Sequence, residues 1–385
     1  MKKAVMYGGG NIGRGFIGAT LSQSGYAVTF IDVAEPVVKA LSENHQYPVR
    51  YVSTNGYEDV LIENVTAVNG NDAEAASEAI AECDIMATAV GARILKFIIG
   101  NIVAGLRKRW ARTDAPLNII ICENLMDANL VMEKMLKEQL SEEECKIFDE
   151  RVGLVEASIG RMVPVQTDEM KDGDPMRVCV ERYGFLPTDK AAFKGEMYIH
   201  NMGHATCAYL DDLLGYEYIY QSIDVPEIRV LVQNAMLESA VALHKKYDVE
   251  LGGIVLHIQD LLHRFTNAAL KDTCARVGGD PGRKLSPADR LIGSASLAIA
   301  QGETPAYIAV GAAAGLRRYI AEAEGMEQGM DSAKKVLKEV SELDEGSKLA
   351  AMILEMYALI LEGKTIRELL KAADEVKAAA ACRVI

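Results

Sequence analysis

The first half of the chain alternates short apolar runs with longer amphipathic stretches. Near-continuous apolar runs of this kind are typical of strands buried on both faces of a parallel sheet, and amphipathic stretches between them are typical of covering helices. The predicted strands are Lys3–Tyr7, Ala27–Ile31, Asp84–Val90 and Leu117–Cys122, followed by Val152–Ile159 and Met176–Glu181. The pattern therefore predicts an α/β domain built on a doubly wound parallel sheet.

The stretches between these strands have the spacing of helices, with one exception. Helices are predicted at Asn11–Gly25, Ala34–Asn44, Asp72–Glu82 and Arg93–Arg109. The exception is Val49–Val68, a β-rich stretch with a turn at Asn55–Gly56.

The pattern of apolar positions changes near Pro187–Gly195, and the rest of the chain has helical spacing almost throughout. We therefore predict two domains, residues 1–190 with the sheet and residues 191–385 as a separate all-α domain. The predicted helices of the second domain are Ala205–Leu214, Val225–Tyr247, Gly253–Lys271, Pro287–Ala300, Pro305–Gly325, Ser332–Leu343 and one from Gly346 to the C-terminus.

The turn after the first strand contains the pattern G-x-G-x-x-G, at Gly8, Gly10 and Gly13. The first glycine permits a tight turn, the second lets the backbone approach a pyrophosphate, and the third lets the helix pack closely on the strand. Asn11 and Ile12 complete this loop, where the helix N-terminus presents free N–H groups to phosphate. The pattern predicts a dinucleotide site.

Other candidate cofactor ligands lie where neighbouring strands end. Asp32 ends the second strand, nineteen residues after Gly13, where a carboxylate accepts from ribose hydroxyls and repels a 2′-phosphate, so NAD(H) is favoured over NADP(H). Val90, Gly91 and Asn124 follow the next predicted strands. Because ligands of doubly wound sheets bind beyond the carboxyl ends of the strands, we expect all of these residues around one crevice.

Composition and charge narrow the class of protein. A formal net charge of −14 over 385 residues argues against nucleic acid or an anionic membrane as the partner. The apolar window Ala89–Leu106 is interrupted by Arg93 and Lys96, so no membrane span is expected. Seven scattered cysteines without a C-x-x-C pair suit reduced thiols, and a first strand at residue 3 leaves no room for a signal peptide. A cytoplasmic protein without a structural metal site is expected.

Two stretches of the helical half carry further candidate chemistry. His200 and His204 are spaced to lie on one helix face, which suits a zinc site or a histidine pair without metal; no third ligand or H-E-x-x-H glutamate accompanies them. Arg276, Arg283 and Lys284 are interspersed with glycine and proline. Such a cluster suits a phosphate or a carboxylate, or a solvated loop.

Seven short motifs occur in order along the chain, in addition to Asp32. They are GGGNIGRGFIG at residues 8–18, TAVG at Thr88–Gly91, CEN at Cys122–Asn124, RMVP at Arg161–Pro164, FKG at Phe193–Gly195, NMGHATCAYL at Asn201–Leu210 and ARVGGDPGRKLSPADRLIG at Ala275–Gly293. In these motifs, and over nearly its full length, the chain resembles the polyol-specific long-chain dehydrogenases.

The resemblance implies a Rossmann domain, a helical domain and a substrate site between them. It also implies metal-independent, reversible hydride transfer between NAD(H) and a polyol or ketose, here mannitol 1-phosphate and fructose 6-phosphate. Asn201 matches a residue that holds the reacting oxygen, and His204 one that orients the substrate. Asn124, Arg276 and Lys284 match substrate-binding positions, and Arg283 is expected to bind the phosphate because it lies beside Lys284.

Two positions depart from the family pattern. The catalytic lysine of the family stands five residues before the Asn of its N-x-x-H motif, and here that position is Glu196. An acid usually precedes the arginine of R-x-V-P, and here that position is Gly160. Lys194, Glu196 and His200 are therefore rival candidates for the base.

The departures leave two alternatives to the implied reaction open. One is a related dehydrogenase of another polyol or of a hexuronate. The other is a non-catalytic NAD(H)-binding sensor, which needs no base. The persistence of Asn201, His204, Arg276 and Lys284 favours an enzyme. The oligomeric state is not predicted.

Overall fold

The computed structural model of the chain describes residues 1–125, 127–184 and 195–381. The contacts divide the chain into two compact units, Met1–Phe193 and Lys194–Ile385. The predicted boundary at 190/191 lies outside the described residues. Within the described part of the chain, no helix combines the length and apolar character needed to cross a membrane.

The described residues of the first unit form nine strands, which make two sheets. They are β1 (Lys2–Tyr7), β2 (Tyr26–Asp32), β3 (Gln46–Ser53), β4 (Gly56–Glu63), β5 (Val65–Asn69), β6 (Ile85–Thr88), β7 (Leu117–Ile121), β8 (Val152–Glu156) and β9 (Val178–Val180). The main sheet has the order β5-β2-β1-β6-β7-β8 and every pair in it is parallel. The predicted doubly wound sheet is confirmed, and the strand order reverses between β1 and β6.

Helices cover both faces of this sheet. A π-helical segment Gly13–Gly18 leads into α1 (Ala19–Gln23), and the others are α2 (Glu35–Asn44), α3 (Ala73–Glu82), α4 (Leu95–Trp110), α5 (Ala128–Lys137), α6 (Glu142–Arg151) and α7 (Asp168–Lys171). One apolar core includes Phe16, Phe30 and Tyr47, and the other includes Ile99 and Ile119. The strands are buried from both sides, which explains why they read as continuous apolar runs.

The second, smaller sheet has the order β4-β3-β9. The β-rich stretch was predicted, but it is divided: β3 and β4 form an antiparallel hairpin, whereas β5 joins the main sheet. The predicted strand Met176–Glu181 is shorter than expected, at Val178–Val180, and pairs in parallel with β3. This pairing brings residues near 180 next to residues near 50.

The second unit is helical, as predicted. After a π-helical segment Glu196–Asn201 come α8 (Met202–Asp211), α9 (Ile219–Ile223), α10 (Pro226–Tyr247), α11 (Leu251–Arg264), a 3-10 turn Ala268–Leu270, α12 (Cys274–Gly278), α13 (Pro281–Lys284), α14 (Ile292–Ala300), α15 (Ala306–Glu322), α16 (Met330–Glu339), α17 (Lys348–Leu361) and α18 (Ile366–Ala381). The single helix predicted from Gly346 onward was wrong, because a turn near Gly363 separates two helices. The helix predicted at Pro287 begins only at Ile292.

Small residues on α15 set the position of α8, which carries His204. A Cβ atom placed on Gly311 would lie 2.4 Å from Oγ1 of Thr206. Any larger residue at position 311 would therefore displace α8 and the histidine on it.

Candidate active site

The glycine loop requires glycine at two of its three positions. Gly8 has a φ of +106°, and a Cβ there would lie 2.4 Å from the carbonyl oxygen of Ala89. A Cβ on Gly13 would lie 1.9 Å from the carbonyl oxygen of Gly8. The loop is thus closed tightly between the end of β1 and the segment that follows β6.

The outer side of the loop fits a phosphate group. A Cβ on Gly10 would meet no heavy atom within 4 Å, so the backbone here is accessible from outside. Asn11 and Ile12 lie in the first helical turn. The first N–H groups of a helix have no partner within it, so this turn presents donors and a partial positive charge. The residues present fit the pyrophosphate of a dinucleotide.

Asp32 ends β2 with both carboxylate oxygens held by the backbone. Oδ2 accepts from the N–H of Gly9 at 2.5 Å, and Oδ1 accepts from the N–H of Ala34 at 2.8 Å. These bonds leave other lone pairs on the carboxylate for ribose hydroxyls. The carboxylate also fixes the glycine loop to the end of β2.

Glu123 joins the ends of β6 and β7, a role that the sequence did not reveal. Its side chain is 3% exposed, and its oxygens accept from the N–H groups of Val90 at 2.9 Å and Gly91 at 2.7 Å. The next residue, Asn124, is exposed. Glu123 therefore shapes the backbone at three predicted cofactor or substrate positions, and its place inside the CEN motif was the available signal.

Two buried arginines support the glycine loop from within the first unit. Nε of Arg14 donates to the carbonyl of Gly9 at 2.7 Å, and its Nη1 donates to the carbonyl of Met176 at 2.5 Å. Arg161, from the RMVP motif, donates to the carbonyl of Gly15 at 2.8 Å and stacks 4.4 Å from the ring centre of Phe16. Burial lowers the pKa of both guanidinium groups. Neither arginine was assigned a role from the sequence.

In the second unit, the buried residues His204 and Asp272 form a chain of contacts with the exposed Arg276. Nε2 of His204 lies 3.3 Å from Oδ2 of Asp272. Arg276 donates to the same carboxylate through Nε and Nη2, each at 2.7 Å. Burial lowers the pKa of His204 to about 4, against the opposing effect of Asp272, so the ring is neutral near pH 7. Burial opposes a charged Asp272, but its contacts with His204 and Arg276 outweigh this and hold its pKa below the ordinary value.

The two histidines stack with an aromatic ring. The ring centres of His200 and His204 are 5.7 Å apart, and that of Phe265 lies 4.6 Å from His204. Among the described residues, no group of three His, Cys, Asp or Glu side chains could hold a metal ion. The arrangement is a stacked aromatic cluster.

The predicted residues before α8 are described only in part. Asn201 ends the π-helical segment, three residues before His204. Glu196 begins that segment, and its side chain lies outside the described atoms, as does all of Lys194. Asn201, Lys194 and Glu196 keep their predicted roles as hypotheses.

The basic cluster around α13 contains compensating acids. Arg283 donates from Nε to Asp280 and from Nη1 to Asp289, both at 3.0 Å. Lys284 is 5% exposed and donates to the carbonyl of Gly279. Burial, reinforced by Arg290 and Arg283, lowers the pKa of Lys284 to about 7. The sequence predicted cations here but not that one of them is buried.

Each unit thus groups its own share of the predicted residues. The first unit places the glycine loop, Asp32 and the residues after β6 and β7 at the carboxyl ends of its parallel strands. In the second unit, His204 and Arg276 meet at Asp272, whereas Arg283 pairs with other acids.

Comparisons with known proteins cover most of the chain. The mannitol dehydrogenase Rossmann domain matches residues 2–200, and the mannitol dehydrogenase C-terminal domain matches residues 194–376. A mannitol-1-phosphate 5-dehydrogenase of Thermoanaerobacter pseudethanolicus is 32% identical, over 90% of this chain and 99% of the relative. Its namesake from Bacillus subtilis is 35% identical, over 91% of this chain and 98% of the relative.

Solved structures agree on the fold. A Pseudomonas fluorescens mannitol 2-dehydrogenase, solved with NAD and D-mannitol, has a TM-score of 0.77 at 15% identity, covering 97% of this chain and 94% of the other. A D-sorbitol dehydrogenase has a TM-score of 0.75 at 16% identity, with 97% and 95% coverage. With two family domains matched from residue 2 to residue 376, the chain belongs to the mannitol dehydrogenase family.

Proposed function

We propose that this protein is an NAD(H)-dependent polyol-phosphate dehydrogenase that interconverts mannitol 1-phosphate and fructose 6-phosphate. The observation that carries the proposal is the likeness to proteins named mannitol-1-phosphate 5-dehydrogenase, at 32–35% identity over at least 90% of this chain. A match of that extent covers both the dinucleotide-binding loop and the helical half, so it supports the substrate as well as the reaction class.

The first unit supports the choice of cofactor. The tight turn at Gly8 and the accessible backbone at Gly10 would hold the pyrophosphate, and Asp32 would accept from the adenosine ribose hydroxyls. Bound NAD(H) accepts or supplies the hydride. The carboxylate of Asp32, fixed by two backbone N–H groups, would repel the additional phosphate of NADP(H).

The second unit supplies groups suited to a polyol phosphate. The amide of Asn201 would hold the reacting oxygen, and the neutral ring of His204, positioned by Asp272, would orient a neighbouring hydroxyl. Within the described residues, Nη1 of Arg276 is left unused by the pair with Asp272 and can donate to a substrate oxygen. Arg283, 40% exposed, would bind the phosphate with its remaining N–H groups.

The direct test is NADH oxidation by the purified protein with fructose 6-phosphate, fructose or fructuronate. Turnover restricted to fructose 6-phosphate is expected. Turnover with fructuronate instead would assign a hexuronate substrate. Tight NADH binding without reduction of any ketose would refute the proposal and favour a sensor, in keeping with Glu196 at the position of the family's lysine.

A phosphate contact from Arg283 predicts a specific kinetic signature. Arg283→Gln should raise the KM for fructose 6-phosphate about tenfold or more, with kcat retained, because a charge-assisted hydrogen bond contributes roughly 1.5–3 kcal/mol. Arg229→Gln on α10 is the matched control, because it removes the same charge elsewhere in the unit. An unchanged KM in Arg283→Gln would remove this residue from the phosphate site.

A further inference from the structure

Oxidation of an alcohol by hydride transfer requires a group that takes the hydroxyl proton. The resemblance places that group at position 196, which is a glutamate here. His204 is a weak base in this setting, because burial lowers its pKa to about 4. Besides the rival candidates Lys194, Glu196 and His200, the second unit contains a buried amine suited to accept the proton, that of Lys284.

Lys284 has a surrounding in which an uncharged amine is stable. It is 5% exposed, and among the described residues its amine donates to one acceptor, the neutral carbonyl of Gly279. No carboxylate among the described residues forms an ion pair with it, since the nearby acids are engaged by arginines. Asp280 accepts from Arg283, and Asp289 accepts from both Arg283 and Arg290.

The charged groups around Lys284 favour its neutral form. Burial is the main cause that lowers its pKa to about 7; Arg290 and Arg283 act in the same direction, whereas Asp280 and Asp289 oppose them. The helix packed against this turn, α15, contributes Tyr319 beside Gly282. A base is most efficient when its pKa is close to the working pH, and this condition is met here.

The turn that carries Lys284 also contacts the segment of the predicted catalytic residues. Tyr198, in the π-helical segment that ends at Asn201, donates to the carbonyl of Ala288 at 3.2 Å. The backbone N–H of Leu291 in turn bonds to the carbonyl of Lys284 at 3.4 Å. Residues 284–291 are therefore fastened to the segment that presents Asn201.

We propose that Lys284 is the proton acceptor of the reaction, taking the role of the lysine that Glu196 replaces. This inference rests on the proposed function. In oxidation of the polyol, hydride leaves the carbinol carbon for NAD⁺ while the hydroxyl proton passes to the neutral Nζ amine, so a carbonyl and an ammonium group form. In ketose reduction the ammonium group returns the proton to the developing alkoxide.

The test compares the pH dependence of kcat for mannitol 1-phosphate oxidation in the wild type, Lys284→Ala, Lys284→Arg and Glu196→Gln. A general base contributes about 10²–10⁴-fold in rate, so Lys284→Ala should lose that factor at pH 7. Added methylamine should restore part of kcat in this variant and leave the wild type unchanged. Lys284→Arg should stay inactive despite its charge. Glu196→Gln should retain the rise of kcat with pH that the wild type shows near pH 7, called the pH 7 limb below.

Rescue of Lys284→Ala by an amine also shows that this variant is folded. An NADH affinity within about twofold of the wild-type value shows independently that its first unit is intact. If Lys284→Arg keeps its kcat and the pH 7 limb and only its KM changes, Lys284 is a substrate ligand and the inference is overturned. Loss of the pH 7 limb in Glu196→Gln would overturn it as well. A wild type that turns over no polyol would instead refute the proposed function itself.

Discussion

Replacing Glu123 with glutamine tests whether a buried carboxylate holds the cofactor crevice in shape. The native side chain accepts from two neighbouring backbone N–H groups, those of Val90 and Gly91. A glutamine has the same size but only one acceptor oxygen, so its NH₂ group must face the second N–H. One charge-assisted hydrogen bond is lost and one donor is left facing another.

The cost follows from these two terms. The lost bond is worth roughly 1.5–3 kcal/mol, and the opposed donors add roughly 1 kcal/mol, the low end of their range, because water can reach the exposed Gly91. The total of about 2.5–4 kcal/mol should lower the Tm of the first unit by about 5–16 °C, as expected for a unit of this size. NADH affinity should fall as well, because Val90 and Gly91 line the predicted cofactor site.

The chain has a single tryptophan, Trp110, which lies at the end of α4 in the first unit. Its fluorescence on heating therefore follows that unit, and a titration at 20 °C gives the NADH affinity. Glu150→Gln, an exposed change at the end of α6, is the matched control and should leave both quantities unchanged. A Tm for Glu123→Gln within 1 °C of the control would refute the reasoning.

Two further predictions concern Asp32 and a pair of buried titratable groups. Asp32→Asn should weaken NADH binding about 10–100-fold, because charged hydrogen bonds of roughly 1.5–3 kcal/mol are lost. It should also raise the kcat/KM for NADPH relative to that for NADH, because the repulsion between the carboxylate and the 2′-phosphate is removed. An unchanged ratio of the two kcat/KM values would contradict this. His204, whose pKa is lowered by burial from 6.5 to about 4, contributes stability that is present above pH 6.5 and is lost as the pH falls towards 4. Glu238, whose pKa is raised by burial from 4.5 to about 7, contributes stability that is present below pH 4.5 and is lost as the pH rises through 7. The two trends oppose each other between pH 4.5 and 6.5. In calorimetry, the Tm of Glu238→Gln should therefore fall more steeply on acidification than that of the wild type. Parallel plots of Tm against pH for the two proteins would argue against a raised pKa of Glu238.

The cofactor half of the site is largely predictable from sequence because its determinants are local. The turn at Gly8, the helix start and Asp32 lie within one strand–helix–strand unit, and each residue type has a physical reason at its position. The same holds for the buried strands, because each one can be identified from its own apolar run. The exact strand ends were less predictable, because hydrogen-bond partners rather than composition end a strand.

The residues that the sequence did not reveal act across long separations. Glu123 bonds to residues 33 and 32 positions away, and Arg14 to Met176, 162 positions away. The burial of Lys284 likewise depends on packing, since a lysine between glycine and proline residues reads as a solvated loop. Local patterns carry no information about such partners, and only the folded chain specifies them.

During synthesis the cofactor loop emerges first, yet the groups that fasten it emerge much later. Arg161 and the carbonyl of Met176 hold Gly15 and Arg14 from positions more than 140 residues downstream. At about 5–20 residues per second, a ribosome needs on the order of 10–30 s to add them. A nascent chain that ends at Glu156 already contains all six strands of the main sheet but lacks the Arg161 and Met176 contacts that hold the loop. Competence to bind the dinucleotide should therefore arise late in the translation of the first unit, well after its sheet can form.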